Sequence, residues 1–188
     1  MNDKRSHHRA SILTNGKILI TGGYDSIISS AIKNTELYDL STETWAMTRN
    51  MNYVRYLHTA SVLKNEKVLV AGGYNKSTSL NSAELYDPST GTWKITDNLN
   101  NGRYYHTASI LKNERVLVTG GYNLGFAINS IELYDPLTGI WAMTDSLNNA
   151  RGSHSASVLT NGEVFVPGGL YNFALNTAKL YEPSQANE

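Results

Sequence analysis

The 188-residue chain contains no cysteine, which excludes disulfide bonds, thiolate metal sites and thiol nucleophiles. It has no excess charge either: sixteen basic and sixteen acidic side chains cancel, so no net field favours nucleic acid or an anionic membrane. No apolar run reaches the roughly 18–20 residues that span a bilayer, and the N-terminus lacks the apolar segment of a secretory signal. These absences favour a cytoplasmic protein that binds neither nucleic acid nor membrane.

The most informative feature that is present is repetition. Four segments align on their paired glycines: RSHHRASILTNGKILITGGY, RYLHTASVLKNEKVLVAGGY, RYYHTASILKNERVLVTGGY and RGSHSASVLTNGEVFVPGGL. A period of 48 residues separates both the histidines and the tryptophans of successive units, namely His58, His106 and His154, and Trp45, Trp93 and Trp141. Self-similarity at about this period is typical of propellers and solenoids, in which each unit buries its faces against its neighbours.

Within one unit the sequence predicts four short strands and no amphipathic helix. In the second unit the strands are His58–Leu63, Lys67–Gly73, Ser82–Asp87 and Gly91–Thr96. The second of these is a continuous apolar run, as expected for a strand buried on both faces, and the third alternates apolar and polar residues. Four antiparallel strands repeated around an axis predict an all-β fold, a β-propeller whose blades hide most of their edges.

The repeat resembles the Kelch repeat over nearly the whole chain. The resemblance is carried by the Arg-x-x-His-x-Ala opening, the Gly-Gly after an apolar strand, the Tyr-Asp-Pro turn and the tryptophan that follows Thr-Gly or its equivalent. It implies one four-stranded blade per repeat, with the first strand innermost. Glycines let blades converge near the axis, while tyrosine and tryptophan fill the wedge between blades. We therefore expect a structural role for Gly22, Gly23, Gly72, Gly73, Gly120, Gly121, Gly168, Gly169, Trp45, Trp93, Trp141, His58, His106 and His154.

The unit count departs from the five to seven blades that the resemblance implies. We divide the chain into blades at 5–52, 55–102, 103–150 and, incomplete, 151–183. The last unit ends with the segment Leu180 to Ser184, inside the turn before its fourth strand, so fifteen strands are expected. A fragment of a longer protein, an open arc and a small four-bladed ring remain as alternatives, and we favour the fragment. An open arc would expose apolar blade faces and so predicts self-association.

Antiparallel connectivity places the segment leading into each first strand beside the loop that follows the second strand, on one face of the propeller. Units two and three are identical at 32 of 48 positions, yet five consecutive differences fall in this loop, at 76–80 against 124–128. Structure demands repetition, whereas a binding surface has reason to break it. Tolerated drift at loop tips is the alternative, and the sequence leaves both open.

Candidate binding residues on this face are chosen from residue types enriched at interfaces. They are Tyr56, Tyr74, Lys76, Leu80, Arg103, Tyr104, Tyr105, Tyr122, Phe126 and Tyr171. For the repeated arginines Arg55, Arg103 and Arg151 we favour a scaffold role, in which they pair with carboxylates such as Glu84 or Asp87. The basic cluster between Lys4 and Arg9 is interpreted as a solvated chain end.

No cofactor or metal is expected. The histidines His8, His58, His106 and His154 would form a symmetric ring, but packed sheets lie about 10 Å apart, which is too wide for neighbours to share an ion at about 2 Å. A structural hydrogen bond on each innermost strand is the favoured interpretation.

The predicted function is a non-enzymatic scaffold or adaptor that binds a protein partner through the variable face. The alternative is a carbohydrate-binding or galactose-oxidase-like propeller, but the oxidase's tyrosine–cysteine crosslink has no counterpart in a chain without cysteine. No nucleophile–base pair, paired carboxylate or phosphate-cradling loop stands out. A third hypothesis is that such similar repeats arose by recent duplication and have no dedicated partner.

Overall fold

The computed structural model describes residues 1–183, and its seventeen strands in that range are arranged mainly as four antiparallel sheets. We call these sheets blades 1 to 4. Blade 1 contains β1 (Arg9–Ile12), β2 (Lys17–Asp25), β3 (Ser30–Asp39) and β4 (Thr44–Met47), and blade 2 contains β5 (Thr59–Val62), β6 (Val68–Ala71), β7 (Ala83–Asp87) and β8 (Thr92–Ile95). Within each of these blades the strands pair in chain order, as a meander.

Blade 3 carries an extra hairpin. It contains β9 (Thr107–Ile110), β10 (Val116–Thr119), β13 (Ser130–Asp135) and β14 (Ile140–Ser146), and between its second and third strands β11 (Tyr122–Asn123) and β12 (Phe126–Ala127) form a separate two-stranded sheet. Blade 4 contains β15 (Ser157–Val158), β16 (Val164–Pro167) and β17 (Ala178–Tyr181). The expected fifteen blade strands are therefore present, and the hairpin adds two that we did not predict. Ser184, at which the last turn was expected to break off, lies outside the described residues, and the unit boundaries stay a prediction.

The second strand of each complete blade contributes to two cores at once, because successive side chains point to opposite faces. In β6, Val68 and Val70 pack toward blade 1, whereas Leu69 and Ala71 pack toward blade 3. All four are at most 1% exposed. The continuous apolar run in the sequence is therefore the signature of a sheet covered on both sides.

Three apolar clusters lie between successive blades. The core between blades 2 and 3, for example, joins Leu69 and Leu99 of one to Val116, Tyr134 and Trp141 of the other. Equivalent clusters join blade 1 to blade 2 and blade 3 to blade 4. The predicted all-β propeller architecture, with its wedges filled by aromatic residues, is confirmed.

Directed hydrogen bonds fix the blades against one another. The hydroxyl groups of Tyr86 and Thr48 lie 2.9 Å apart across the first interface, and those of Tyr134 and Thr96 lie 3.1 Å apart across the second. Near the axis, the backbone N–H of Gly73 donates to the carbonyl oxygen of Arg103 in the next blade at 2.8 Å. A Cβ atom on the adjacent Gly72, which has a φ of +63°, would lie 2.6 Å from that same oxygen, so the approach requires glycine.

The outer faces of the first and last blades are more exposed than the equivalent inner ones. Tyr38 of blade 1 is half-buried, whereas its counterparts Tyr86 and Tyr134 are fully buried. In blade 4, Phe165 is 40% exposed where the equivalent Leu117 is inaccessible. Both terminal blades thus present an apolar face, as in an open arc or a partial propeller.

Candidate functional site

The segment leading into each first strand pairs with the end of the second strand of the same blade. Tyr56 and Tyr74 exchange backbone hydrogen bonds of 3.1 and 2.8 Å, and Tyr104 and Tyr122 do the same at 3.1 and 2.8 Å. The two segments therefore lie side by side, as the antiparallel connectivity predicted.

A continuous row of aromatic rings runs along this face across three blades. Its members are half-buried, and successive ring centroids lie 5.2, 5.7, 4.9 and 5.6 Å apart. In order they are Tyr24, Tyr56, Tyr74, Tyr104 and Tyr122, and we call them the tyrosine row. Burial raises the pKa of Tyr56 and of Tyr104 above the usual 10.0, so these two side chains are uncharged at neutral pH. Aromatic rings packed in tilted and edge-on pairs offer a rigid apolar surface that also carries hydroxyl groups.

The tyrosine row ends at blade 4 because the repeat changes there. Gly152 stands where blades 2 and 3 have Tyr56 and Tyr104, and Leu170 replaces Tyr122. The ring of Tyr122 lies over Gly152 so closely that a Cβ atom on that glycine would lie 2.1 Å from it. Its hydroxyl donates to the carbonyl oxygen of Leu170 at 3.4 Å.

Large apolar side chains project from the loops that follow the second strands in blades 1, 3 and 4. They are 56–83% exposed, and we call them the apolar loop tips: Ile27, Ile28, Leu124, Phe126, Tyr171 and Phe173. The sequence analysis named only Phe126 and Tyr171 among them. The signal for the other four is the break in the repeat at these loops, which marks the region but not the individual side chains.

The loop of blade 2, unlike the other three, has no large apolar side chain that is exposed to solvent. Leu80 is only 9% exposed, and its backbone donates to Gly73 and accepts from Arg103. Lys76 is exposed at the tip, and its ammonium group donates to the carbonyl oxygen of Ser29 in blade 1 at 2.6 Å. The choice of Leu80 as a contact residue was therefore wrong, because its side chain faces the protein.

Most of the other candidate residues lie on this face as expected. Tyr105 is 40% exposed, with its ring centroid 5.9 Å from that of Tyr104. Arg103 is the exception, because it is inaccessible to solvent. Its guanidinium donates to Glu132 at 2.6 Å and to the carbonyl oxygens of Gly120 and Ser130, so its assignment to the binding surface was wrong.

The buried arginines are scaffold residues. Arg55 donates to Glu84 at 2.8 Å, so the predicted pairing with that carboxylate is confirmed. Arg5 pairs with Glu36 at 2.6 Å in the same way, and its side chain is fully buried. The interpretation of the N-terminal basic cluster as a solvated end was wrong at this residue, because Arg5 opens the first repeat.

The histidines make the structural hydrogen bonds that were expected of the innermost strands. Nε2 of His58 lies 2.9 Å from the hydroxyl of Thr21 in the preceding blade, and Nε2 of His106 lies 3.0 Å from that of Thr59. Burial lowers the pKa of His58 and of His106 well below 6.5, and lowers that of His154 to about 4. In the described part of the chain no group of three or more histidine or acidic side chains is placed to hold a metal ion.

One concavity between blades lies away from this face. A pocket of about 240 Å³ opens between blades 2 and 3 at the opposite hairpins, and its walls include Asn65, Glu114 and Leu137. The lining contains the exposed ion pair of Lys64 and Glu114. Residues 1–183 form no helix with both the length and the apolar character needed to cross a bilayer.

Comparison with known proteins agrees with this geometry. The family description "KLHDC2/KLHL20/DRC7 Kelch-repeats domain" matches residues 2–185, almost the entire chain. A search of curated proteins gave no significant match. Kelch-repeat domains generally mediate protein–protein interactions and are generally not enzymes. The repeated Arg–Glu, His–Thr and Gly–Arg contacts and this match together establish that the chain belongs to the Kelch-repeat family of β-propellers.

Proposed function

We propose that this chain is a non-enzymatic adaptor that binds a protein or peptide partner through the tyrosine row and the apolar loop tips. The observation that carries the proposal is the exposure of six large apolar side chains on loops that border one continuous aromatic surface. Isolated exposed apolar residues are ordinary, but a cluster of this kind on one face marks an interaction site.

The physical character of the surface favours a partner segment that is largely apolar. The rings of the tyrosine row pack on one another and are already half-buried, so little side-chain entropy remains to be lost when a ligand covers them. Phe126 and Phe173 are far more exposed and would gain the most from burial, at about 25 cal/mol for each Å² removed from water. Such aromatic anchors are the residues that most often dominate interface energetics.

The distribution of sequence change supports the same division of labour. Positions that repeat in every blade make the contacts between blades, whereas the loop tips differ in length and composition from unit to unit. A partner that touches all four loops would therefore meet four different surfaces on one regular scaffold. This is how a repeat protein acquires specificity without changing its core.

The proposal is tested by selection from a phage-displayed random peptide library on the immobilised chain. The variant Phe126→Ser/Phe173→Ser is expected to bind the selected peptides at least 10-fold more weakly, because two anchors are lost. It should keep the free energy of unfolding within about 0.5 kcal/mol, since both side chains are solvent-exposed.

Leu137→Ser is the matched control for this experiment. Leu137 is 94% exposed, but it lies on the opposite face, so the variant should bind the selected peptides as the parent does. Equal binding to parent and double variant would overturn the proposal. Failure to select any peptide, together with specific signals on a glycan array, would overturn it in favour of sugar binding.

We also propose that the exposed terminal faces of blades 1 and 4 support association between copies. Leu159, Phe165 and Leu180 of blade 4 are each about 40% exposed, and all three occupy positions that pack on the next blade elsewhere in the repeat. The proposed cytoplasmic location follows only from the composition, and cell fractionation would check it.

A further inference from the structure

Three of the four blades bury the same ion pair. The guanidinium group of the arginine that begins the repeat donates to a glutamate on the third strand, at 2.6 Å in Arg5–Glu36, 2.8 Å in Arg55–Glu84 and 2.6 Å in Arg103–Glu132. Every member side chain is fully buried. The pair is a constant internal element of the repeat.

The glutamate also receives backbone hydrogen bonds, so its carboxylate fills a site with several donors. One oxygen of Glu132 accepts from the N–H of Asn101 at 3.0 Å and from Arg103. The other accepts from the backbone N–H and side-chain amide of Asn100 at 2.7 and 2.9 Å. Glu84 is held by Asn52, Tyr53 and Arg55 in the same arrangement.

In blade 4 this carboxylate is replaced by a cation. Lys179 is paired in register with Val166 on the neighbouring strand, as Glu132 is with Val118. Its ammonium nitrogen is drawn toward Asp145 of blade 3, at 3.6 Å. The fourth blade therefore has the arginine of the repeat without the acid.

Arg151 remains buried in spite of this replacement. It is inaccessible to solvent and donates to the carbonyl oxygens of Gly168 and Thr177, at 2.7 and 2.9 Å. Its Nη2 contacts the hydroxyl of Thr177 at 3.1 Å, whereas Nη2 of Arg103 contacts both a hydroxyl and a carboxylate. Across residues 1–183, no carboxylate lies within ion-pair distance of Arg151.

A buried guanidinium without a counter-charge is electrostatically unfavourable, and arginine does not relieve it by losing its proton. Burial lowers the pKa of Arg151, and no neighbouring carboxylate raises it, in contrast to Arg55 and Arg103. Asn148 and Asn149 correspond in the repeat to Asn100 and Asn101, whose backbone N–H groups hold Glu132 in blade 3. Thr177 is exposed, although its counterpart Ser130 is buried, so the position opens to solvent.

We propose that this position in blade 4 is a carboxylate-binding site, formed by Arg151, Lys179 and the backbone N–H groups of Asn148 and Asn149. In blade 3 the counterparts of Arg151, Asn148 and Asn149 hold the two oxygens of one planar carboxylate, and Lys179 stands at the position of the glutamate that carries it. The site lies beside the loop of Tyr171 and Phe173, on the face proposed for partner binding. Its ligand is therefore a carboxylate of the peptide partner, and only this choice of source depends on the proposed function.

The first test uses acetate alone, so it needs no partner. Acetate is titrated against chloride at constant ionic strength while the backbone amide signals of Asn148 and Asn149 are followed by NMR. We expect saturable shifts in the parent chain. Lys179→Glu should abolish them, because the new side chain restores the internal ion pair and occupies the site, and it should also raise the melting temperature.

Lys179→Gln is the control that removes the cation without supplying an acid, so it should still bind acetate, but more weakly. Shifts that do not saturate in the parent, or equal saturable shifts in Lys179→Glu, would overturn the proposal. This design avoids substituting Arg151, whose loss is expected to unfold the blade.

The second test uses a peptide selected on the parent chain. Replacing its acidic side chains by amides, or amidating its C-terminus, distinguishes the two sources of carboxylate. The change that removes the bound group should weaken binding to the parent by about 10- to 100-fold and leave binding to Lys179→Glu unaltered. Saturable acetate shifts without any peptide ligand would sustain the site and reject the adaptor function. If neither the amide replacements nor C-terminal amidation weakens peptide binding, the adaptor function stands and the carboxylate site is rejected.

Discussion

Trp141 and Trp45 occupy the same position of the repeat but differ in what surrounds them. Trp141 is 5% exposed and belongs to the core between blades 2 and 3, whereas Trp45 is half-buried on the outer face of blade 1. Trp93 is intermediate, with part of its ring exposed and its indole N–H donated to the carbonyl oxygen of Arg49 at 2.8 Å. The same residue type therefore contributes unequally along the array.

Trp141→Ala is expected to lower the free energy of unfolding by about 3–5 kcal/mol, because it empties a closed apolar core. Trp45→Ala, the matched control, should cost no more than about 2 kcal/mol, since its ring already meets solvent. Urea unfolding followed by tyrosine fluorescence or circular dichroism measures both. Equal losses in the two variants would contradict the placement of Trp141 between blades.

The buried histidines predict a loss of stability in mild acid. Burial lowers the pKa of His58, His106 and His154 in the folded state, whereas the unfolded chain protonates near 6.5. The unfolded state therefore binds more protons as the pH falls below about 6.5, and stability is greatest above that value. Between pH 6.5 and 5 the free energy of unfolding should fall at up to about 1.4 kcal/mol per pH unit for each histidine. His58→Gln should show a shallower fall, and a parent chain with pH-independent stability in this window would refute the assignment.

At the scale of strands and loops, the repeat could be predicted from the sequence because it is dictated by burial. The apolar run of β6 requires cover on both faces, and the Asp-Pro-x-Thr-Gly turns fix the hairpins that follow β7 and β13. The direction of single loop side chains could not be predicted. Leu80 and Leu124 stand in corresponding loops, yet one is 9% exposed and the other 68%, because Leu80 lies at the end of its loop, where its backbone bonds to Gly73 and Arg103, whereas Leu124 lies at the tip.

The partner of the repeated arginine was predictable only in part. Both Glu84 and Asp87 were candidate carboxylate partners, because both lie on the predicted third strand. Three-dimensional pairing selects Glu84, while Asp87 faces the surface and contacts Lys67 at 3.2 Å. Lys179 differs from its counterparts in the other blades because those positions hold buried glutamates that pair with arginine.

Glu132→Ala is expected to destabilise the chain by about 3–5 kcal/mol, because it leaves the buried guanidinium of Arg103 without a counter-charge and two backbone N–H groups without an acceptor. The double variant Arg103→Met/Glu132→Leu should recover part of that loss, since it removes the uncompensated charge but supplies no acceptor for the two backbone N–H groups. Chemical denaturation of the parent and both variants measures the difference. If Glu132→Ala proves as stable as the parent, the ion pair is not a structural element of the blade.

At the scale of the whole molecule, neighbouring blades supply each other's cores, and the outer faces of the array are left partly uncovered. The open face of blade 4 has the composition of faces that pack on a following blade elsewhere, with Phe165 in place of Leu69 and Leu117. The face of blade 1 that carries Tyr38 and Trp45 matches the faces that receive such contacts. Head-to-tail contact between copies would therefore reproduce an interface that the chain already uses internally.

We accordingly expect concentration-dependent association in sedimentation-velocity experiments. Phe165→Ser should reduce it strongly, because it places a hydroxyl in the middle of the open apolar face. Phe126→Ser, which alters an equally apolar side chain on a loop, should leave the sedimentation coefficient unchanged. A monomer at all concentrations, or loss of association in the loop variant alone, would contradict this arrangement.

The most direct test of the account is a set of nuclear Overhauser effects between blades. Residues of different units, 37 or 38 positions apart in the chain, place their hydroxyl groups 2.9–3.4 Å from each other: Tyr86 with Thr48, Tyr134 with Thr96 and Tyr181 with Thr144. Packing of successive blades predicts cross-peaks from each tyrosine ring to the methyl group of its threonine, repeated at all three interfaces. Cross-peaks confined to single units, such as Tyr86 with Trp93, would show that the units do not pack as successive blades.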